Sequence, residues 1–280
     1  MRQMNTSRHQ SHWDLRAAGN FICGGTGSGL VLACALAGAL GQTAALPLAA
    51  GAIFVMLGLS LVWLDIGKPW RALNVFFHPQ TSWMTREGIL AGPLVACSAA
   101  AAWLGSAVLL ALAAVMAAGF LYCQSRMLRA SRAIPAWSHP RIVPLIVSTG
   151  LAEGIGIFLV LAGPTAAMAA AALAAALLRE VAREAWRRGL FAARAPQGTL
   201  AWFARPEVRV LQGLRYGAIV LLAAGAAGLG WAAMTGAALA VLTGWGLKAI
   251  LITRAAYTRG VVIPITPARG RGATRAVRSS

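Results

Sequence analysis

The sequence predicts an all-α integral membrane protein with eight transmembrane helices, arranged as two four-helix bundles. Composition is the first reason, because 59% of the 280 residues are apolar and 11% are charged, whereas about a quarter of a soluble domain is charged. The second is a series of charge-free stretches close to the ~20 residues that cross a bilayer's hydrocarbon. The third is the alternation of charged and uncharged connections, which is typical of chains that cross a membrane repeatedly.

We predict the spans from apolar runs that are bounded by charge, glycine or proline. The first run is too long for the apolar region of a cleaved signal peptide, so we expect it to remain as a helix. The predicted spans cover residues 18–40, 45–65, 87–104, 106–126, 141–162, 164–180, 212–233 and 236–254.

Positive charge lies on one side of this eight-span arrangement. The uncharged connections are 41–44, 105, 163 and 234–235. All 25 lysines and arginines lie in the tails or in or near the other connections, and an excess of these residues marks the cytoplasmic side. We therefore expect one membrane domain over 1–280 in a bacterial inner membrane, with cytoplasmic tails at 1–17 and 255–280.

The net charge of +18 would suit nucleic acid in a soluble protein. Here the arginines flank apolar spans, where they set orientation and meet anionic lipid, so we expect membrane lipid and no nucleic acid as a partner. Cysteines at metal-ligand spacing are lacking, and no histidine lies at the membrane depth that a b haem needs. We expect neither metal nor haem. The four cysteines are Cys23, Cys34, Cys97 and Cys123, and the four histidines are His9, His12, His78 and His139.

The first span contains the glycine cluster GGTGSG at 24–29. Small residues allow close packing of membrane helices, and close approach of a flat ligand is the alternative. The cluster is not a phosphate loop, because no lysine follows at the required spacing. Arg16 and Asn20 at the start of this span either hold helices together or contact a ligand.

The segment 65–87, DIGKPWRALNVFFHPQTSWMTRE, is the densest mixture of charge and aromatic residues near the membrane. One interpretation is a set of interfacial anchors, with tryptophans in an aromatic belt and the acids paired with arginine. The other is a pocket for a quinone head group, in which donors hold the carbonyls and a carboxylate exchanges protons with cytoplasmic water. The candidate quinone contacts in this segment are Asp65, Lys68, Arg71, Ser82, Arg86 and Glu87.

Glu153 lies midway along the fifth predicted span. A carboxylate at that depth is costly, usually faces the protein interior and is a functional candidate. We expect Glu153 to bind quinone or relay protons, with Asn20 as a further quinone contact. The alternative is a neutral acid that bonds to a helix backbone or to a neighbouring hydroxyl.

The segment 179–209 begins with EVAREAWRRGLF and predicts a helix that extends out of the sixth span with a basic, aromatic surface. Such a surface contacts either lipid head groups or a soluble subunit.

Three runs resemble the membrane anchor subunits of dimethyl-sulfoxide-reductase-type molybdenum oxidoreductases. They are LDIGKPWRA at 64–72, TSWMTRE at 81–87 and IPAW at 134–137. Within them, the combinations Gly67-Pro69-Arg71 and Thr81-Ser82-Trp83-Arg86-Glu87 are the parts that recur together in that family. The resemblance covers essentially the whole chain and includes the eight-helix count. Asp65 departs from it, because several family members have a histidine there.

The resemblance implies an anchor that carries no metal centre and does not act on the soluble substrate. It would hold a ferredoxin-like iron–sulfur subunit and a molybdopterin catalytic subunit on the cytoplasmic face, and exchange electrons with ubiquinone or menaquinone. The runs WDLRAAGNF at 13–21 and AYTRGVVIPITPARG at 256–270 look like anchors of phenylacetyl-CoA:acceptor oxidoreductases. A cytoplasm-facing sulfite dehydrogenase would suit the same topology.

Two other functions stay open from the residues alone. One is a secondary transporter with a midplane site at Glu153 and a broken helix. The other is a structural anchor without a quinone site. Charge concentrated at one interface favours the quinone-reactive anchor over the transporter.

Overall fold

The computed structural model describes residues 7–42, 45–65 and 76–259. Within them the chain is helical, with one isolated antiparallel bridge between His9 and Tyr257. The helices are α1 Leu15–Ala39, α2 Ala45–Asp65, α3 Trp83–Leu104, α4 Ala107–Ala130, α5 Pro135–Ser138, α6 Ile142–Ala162, α7 Ala166–Ala192, α8 Gln197–Ala201, α9 Pro206–Ala226 and α10 Gly230–Thr253, with a 3-10 turn at Trp202–Ala204.

Seven helices of the described part are long and apolar enough to cross a membrane, which makes the chain an all-helical membrane protein. They are α1, α2, α3, α4, α6, α9 and α10. The other long helix, α7, is apolar from Ala166 to Leu178 and then carries Arg179, Glu180 and Arg183. Its apolar part is therefore shorter than the ~20 residues of a full span.

Several helices begin at a residue whose hydroxyl accepts a hydrogen bond from the first turn. Ser82 accepts from the Thr85 amide, and Ser106 and Thr165 act in the same way at the starts of α4 and α7. Such caps satisfy amides that have no partner within the helix. Ser82, predicted as a quinone contact, is thus occupied in starting α3.

The predicted segments agree with the helices along most of the chain. The predicted extension of the sixth span is confirmed, because α7 continues to Ala192. The predicted connection at 234–235 is wrong, since those residues lie inside α10. The turn lies at 227–229, where Gly228 has a φ of 108°, a conformation that glycine adopts at little cost. No charge marks this turn, so apolar runs alone could not locate it.

Helices α1 and α6 are the most buried spans, each with 67% of its central window inside the protein. They meet through glycine, because a Cβ on Gly29 would overlap the carbonyl of Gly150 and one on Gly154 would overlap the Gly29 backbone. On another face of α1, a Cβ on Gly27 would lie 2.6 Å from the Gly51 carbonyl oxygen of α2. The packing role predicted for the glycine cluster is confirmed.

The two chain ends of the described part meet at one end of the helices. The backbone amide of Gln10 donates to the Ala256 carbonyl, and its side-chain amide donates to the Ile252 carbonyl. At the same end, the Trp137 indole donates to the Leu251 carbonyl. We call this end, where α1 begins and α10 finishes, the basic end. The opposite end carries the short connections, where Gln42 bonds to Thr165.

Candidate functional site

Glu153 is fully buried and forms an ion pair with Lys248, with 2.6 Å between carboxylate Oε2 and the ammonium Nζ. Both side chains are 0% exposed. The position of Lys248 in the sequence groups it with the charges of the cytoplasmic side, but its side chain lies inside the protein. A helical Cα–Cβ bond tilts towards the helix N-terminus, which directs Lys248 away from the basic end and towards Glu153.

A row of hydrogen bonds continues from this pair into α1. The Thr26 hydroxyl donates to Glu153 Oε2 at 2.9 Å and accepts from the Trp245 indole at 2.9 Å. Two glycines make room for the charged groups, since a Cβ on Gly25 would overlap Lys248 Nζ and one on Gly244 would lie 2.6 Å from Glu153 Oε1. Glu153 Oε2 thus accepts hydrogen bonds from two donors, the Lys248 ammonium and the Thr26 hydroxyl.

Arg179 is a second buried cation beside this pair. Its guanidinium donates to the Ala240 carbonyl at 2.6 Å and to the Thr243 hydroxyl at 3.2 Å, both on α10. The residue is 0% exposed, so α7 places a charge inside the helices at the level where its apolar part ends. Two cations thus lie near the Glu153 carboxylate.

Glu87 lies in a second buried polar group, formed with α1 and α4. The side-chain amide of Gln124 donates to the backbone carbonyl of Asn20 at 3.1 Å and to Glu87 Oε1 at 3.4 Å. Glu87 is 3% and Asn20 is 3% exposed. The interpretation of Glu87 as an interfacial acid paired with arginine is wrong, because its side-chain partner is an amide in the protein interior.

The two groups meet at Gly25. A Cβ there would overlap Lys248 Nζ and lie 3.2 Å from Gln124 Oε1. Asn20, Glu87, Gln124 and Lys248 each lie roughly one to two turns inside the basic end of their helices, which is ~6–9 Å at 1.5 Å per residue. We call the connected set the buried polar row; its members are Asn20, Glu87, Gln124, Lys248, Glu153 and Thr26.

Three oxygens of the buried polar row have no hydrogen-bond partner among the described residues. They are Asn20 Oδ1, Gln124 Oε1 and Glu153 Oε1. Buried polar atoms in proteins almost always have partners, and each exception calls for an explanation such as water, an ion or a ligand. The row is therefore chemically suited to a bound polar group or to proton exchange.

Ser82 and Arg86, two of the other predicted contacts, bond to residues outside this row. Arg86 donates to the Pro79 and Gln80 carbonyls and stacks 4.2 Å from the Trp83 ring centroid, near the surface of the basic end. Asp65 is the last residue of α2, and its side chain is outside the described part. Lys68 and Arg71 lie outside the described residues.

The basic end of α7 forms a cluster of ion pairs. Glu180 binds Arg183 at 2.9 Å and Arg215 of α9 at 2.8 Å. Glu184, one turn further, accepts from Arg187 at 2.6 Å and Arg188 at 2.8 Å. The hydrogen bond from Arg187 is the main reason that the pKa of Glu184 falls to about 2, so this carboxylate stays ionised at physiological pH.

Sequence reasoning missed Lys248 and Gln124 as members of the site. Lys248 carried a usable signal, because a lone acid within one span needs a partner and membrane-buried charges usually pair with each other. Gln124 gave no such signal, since nothing in its own span distinguishes a bridging amide from a packing residue. No protein-family model matches the chain, and no curated protein matches it.

Proposed function

We propose that this chain is the quinone-reactive membrane anchor of a molybdopterin and iron–sulfur oxidoreductase. Electrons arrive from an iron–sulfur subunit at the basic end and reach a quinone near the buried polar row. The resemblance favours phenylacetyl-CoA:acceptor oxidoreductase as the complex. The observation that carries the proposal is the row itself, which gathers a buried acid, two amides and an ion pair within reach of the end where soluble subunits would dock.

The residues of the row suit a quinone head group. Quinone carbonyls accept hydrogen bonds, and the side-chain amide of Asn20 supplies a donor, whereas the Gln124 amide already donates to the Asn20 backbone carbonyl and to Glu87. The unpartnered oxygens Asn20 Oδ1 and Gln124 Oε1 would serve the hydroxyls of the reduced form. A bound quinone supplies two-electron chemistry. Glu87 holds a proton-accepting carboxyl beside Gln124, and the Lys248–Glu153 pair offers a second exchangeable proton deeper in the protein.

The proposed architecture is eight crossings in two four-helix bundles, with both termini in the cytoplasm. In the first bundle α1 packs on α2 and α4, and α3 on α2 and α4; in the second α10 packs on α9 and α6, and α7 on α6 and α9. Because both described chain ends lie at the basic end, an even number of crossings is needed. Counting α7 with the seven candidate spans supplies that number.

The transporter alternative also rests on Glu153. A midplane acid paired with a lysine is compatible with ion or substrate binding, but transporter sites of this kind are formed by interrupted helices. Here α6 and α10, which carry the pair, run without a break over Ile142–Ala162 and Gly230–Thr253. We therefore place the transporter second.

The test is to express the tagged chain together with the products of its neighbouring genes, purify it in mild detergent and assay electron transfer to a soluble quinone analogue. We expect co-purification of an iron–sulfur protein and a molybdoenzyme, with quinone in the extract. Replacing Glu87 with Gln or Gln124 with Leu should lower quinone turnover at least tenfold while partner recovery is unchanged. General acid–base groups typically contribute factors of 10² or more.

Ser98→Ala is the matched control, because Ser98 is a buried polar residue on the same helix as Glu87 but about 16 Å further along it. It should leave turnover unchanged. Recovery of the chain alone and without quinone would reject the anchor. Recovery of partners with full turnover in both variants would mean that the quinone site lies away from the buried polar row.

A further inference from the structure

A cleft opens at the basic end between α7, the 3-10 turn and α9. Its inner part is apolar and is lined by Trp202, Leu211, Leu247 and Ile250, among others. Its outer part has a volume of about 260 Å³ and is lined mainly by polar and charged side chains. Phe203 and Val208 border both parts, so the two parts form one cleft with an apolar interior and a basic mouth.

The mouth carries more positive charge than its acids neutralise. Its lining includes Arg183, Arg187 and Arg209 and no acid, and the surrounding segment 180–215 has seven arginines and three glutamates. Glu180 and Glu184 are already shared among four arginines, and the third acid, Glu207, is exposed on α9. Arg209 has no carboxylate partner among the described residues, and it bonds instead to the Ala204 carbonyl.

Two arginines at the mouth have donors to spare. Arg187 uses Nε and Nη2 on Glu184, and Arg209 uses the same two atoms on the Ala204 carbonyl. Within the described part, Nη1 of each has no acceptor. Arginine suits phosphate because its planar fork donates several hydrogen bonds to one group.

The position of the cleft fits the head-group level of a bilayer. The outward faces of α7 and α9 beside it are apolar, with Val181 67%, Val210 61% and Leu214 40% exposed. These residues continue the apolar surface of the helices up to the arginines. A molecule in the cleft would therefore meet hydrocarbon on one side and positive charge on the other, which matches a phospholipid better than a water-soluble protein segment.

We propose that this cleft binds the phosphate of an anionic phospholipid, with Arg187 and Arg209 as donors. Phe203, Val208 and Leu211 contact the glycerol and the first methylenes. Basic pockets between membrane helices are known to hold anionic head groups. The site is separate from the proposed quinone function, because none of its arginines belongs to the buried polar row.

The test uses the purified full chain in an uncharged detergent and measures bound lipid by native mass spectrometry. The ligands are dioctanoyl phosphatidylglycerol, dioctanoyl phosphatidylcholine and inorganic phosphate. We expect phosphatidylglycerol to bind at least tenfold more tightly than phosphatidylcholine or inorganic phosphate. The double variant Arg187→Gln/Arg209→Gln should lose at least tenfold in affinity for phosphatidylglycerol.

The matched control is Arg129→Gln/Arg132→Gln, which removes two exposed arginines from the same end of the protein but away from the cleft. It should bind lipid like the unmodified chain. Arg129, Arg132 and Arg209 are exposed, and the Arg187–Glu184 ion pair is partly exposed. Because such pairs add little to stability, thermal stability should change little in both double variants. The proposal would be overturned if Arg187→Gln/Arg209→Gln bound phosphatidylglycerol as tightly as the unmodified chain does. It would also be overturned if the unmodified chain bound inorganic phosphate as tightly as phosphatidylglycerol.

Discussion

Glu153 and Lys248 come from two helices, and each would be a costly isolated charge without the other. The pair is completed by Thr26, whose hydroxyl donates to the same carboxylate oxygen that Lys248 contacts. Removing one partner from a buried ion pair is far more damaging than removing both, because the remaining charge is left without compensation. This asymmetry makes the pair testable.

We predict that Lys248→Met lowers the free energy of unfolding by about 3–5 kcal/mol. The double variant Glu153→Gln/Lys248→Met should recover most of that loss, since it leaves no uncompensated charge. Unfolding in detergent with increasing sodium dodecyl sulfate gives the measurement, and Arg254→Gln, an exposed position just beyond α10, is the control. A double variant as unstable as Lys248→Met would show that the two side chains are not coupled.

The candidate site was only partly predictable from sequence at this scale. Glu153 was identified because an acid in the middle of an apolar run stands out. Lys248 is predicted near the cytoplasmic face because it is six residues before the predicted end of its span, and side-chain direction decides whether such a lysine reaches water or turns inward. Sequence position alone does not contain that direction.

At the scale of the helices, α1 and α6 are held together by contacts that only glycine allows. The surfaces meet backbone to backbone at Gly29 and Gly154, so an added methyl group has no flexible neighbour to displace. Close helix approach through small residues is a main source of association in lipid, where burial of apolar area gives little driving force.

We predict that Gly154→Ala lowers the free energy of unfolding by about 1–3 kcal/mol, the usual cost of overfilling a packed interior. Gly92→Ala is the control, because no atom lies within 4 Å of a Cβ built there. Alanine in that exposed helical position should be neutral or slightly stabilising. The midpoint of thermal unfolding in detergent distinguishes the two, and equal midpoints would mean that α1 and α6 can separate without penalty.

The helix pattern itself was largely predictable, because apolar length and charge define most spans. The end of α9 at Ala226 rather than 233 and the start of α10 at Gly230 rather than 236 show where this fails. Two apolar helices joined by a turn without charge or proline look like one continuous run. The turn depends on a positive φ at Gly228, and Gly228 is one of many glycines in the run.

At the scale of the whole molecule, the two ends of the described part, near residues 9 and 257, are joined to each other. His9 and Tyr257 form a backbone bridge and their rings lie 5.1 Å apart. The Trp13 ring also stacks on Phe21 of α1 and on Trp137 of α5. These contacts place the polar segment before α1 in the same layer as the residues after α10.

We predict that fluorescent-protein fusions at both termini are fluorescent in bacterial cells, which requires both ends to be cytoplasmic. Alkaline phosphatase fused after Gly163, in a truncated chain, should be active because that connection lies on the opposite side. A silent fusion at one terminus only would contradict the even number of crossings that we propose.

The buried ion pair also has a consequence for the order in which the protein is made. Glu153 and Lys248 are 95 residues apart, and a ribosome adds about 5–20 residues per second. The acid therefore enters the membrane about 5–20 s before its lysine exists. Thr26 of α1 is made before Glu153, so its hydroxyl is the first hydrogen-bond donor available to the Glu153 carboxylate. During synthesis, the first polar contact between α1 and α6 is therefore this hydrogen bond. The charge partner arrives only with the last helix.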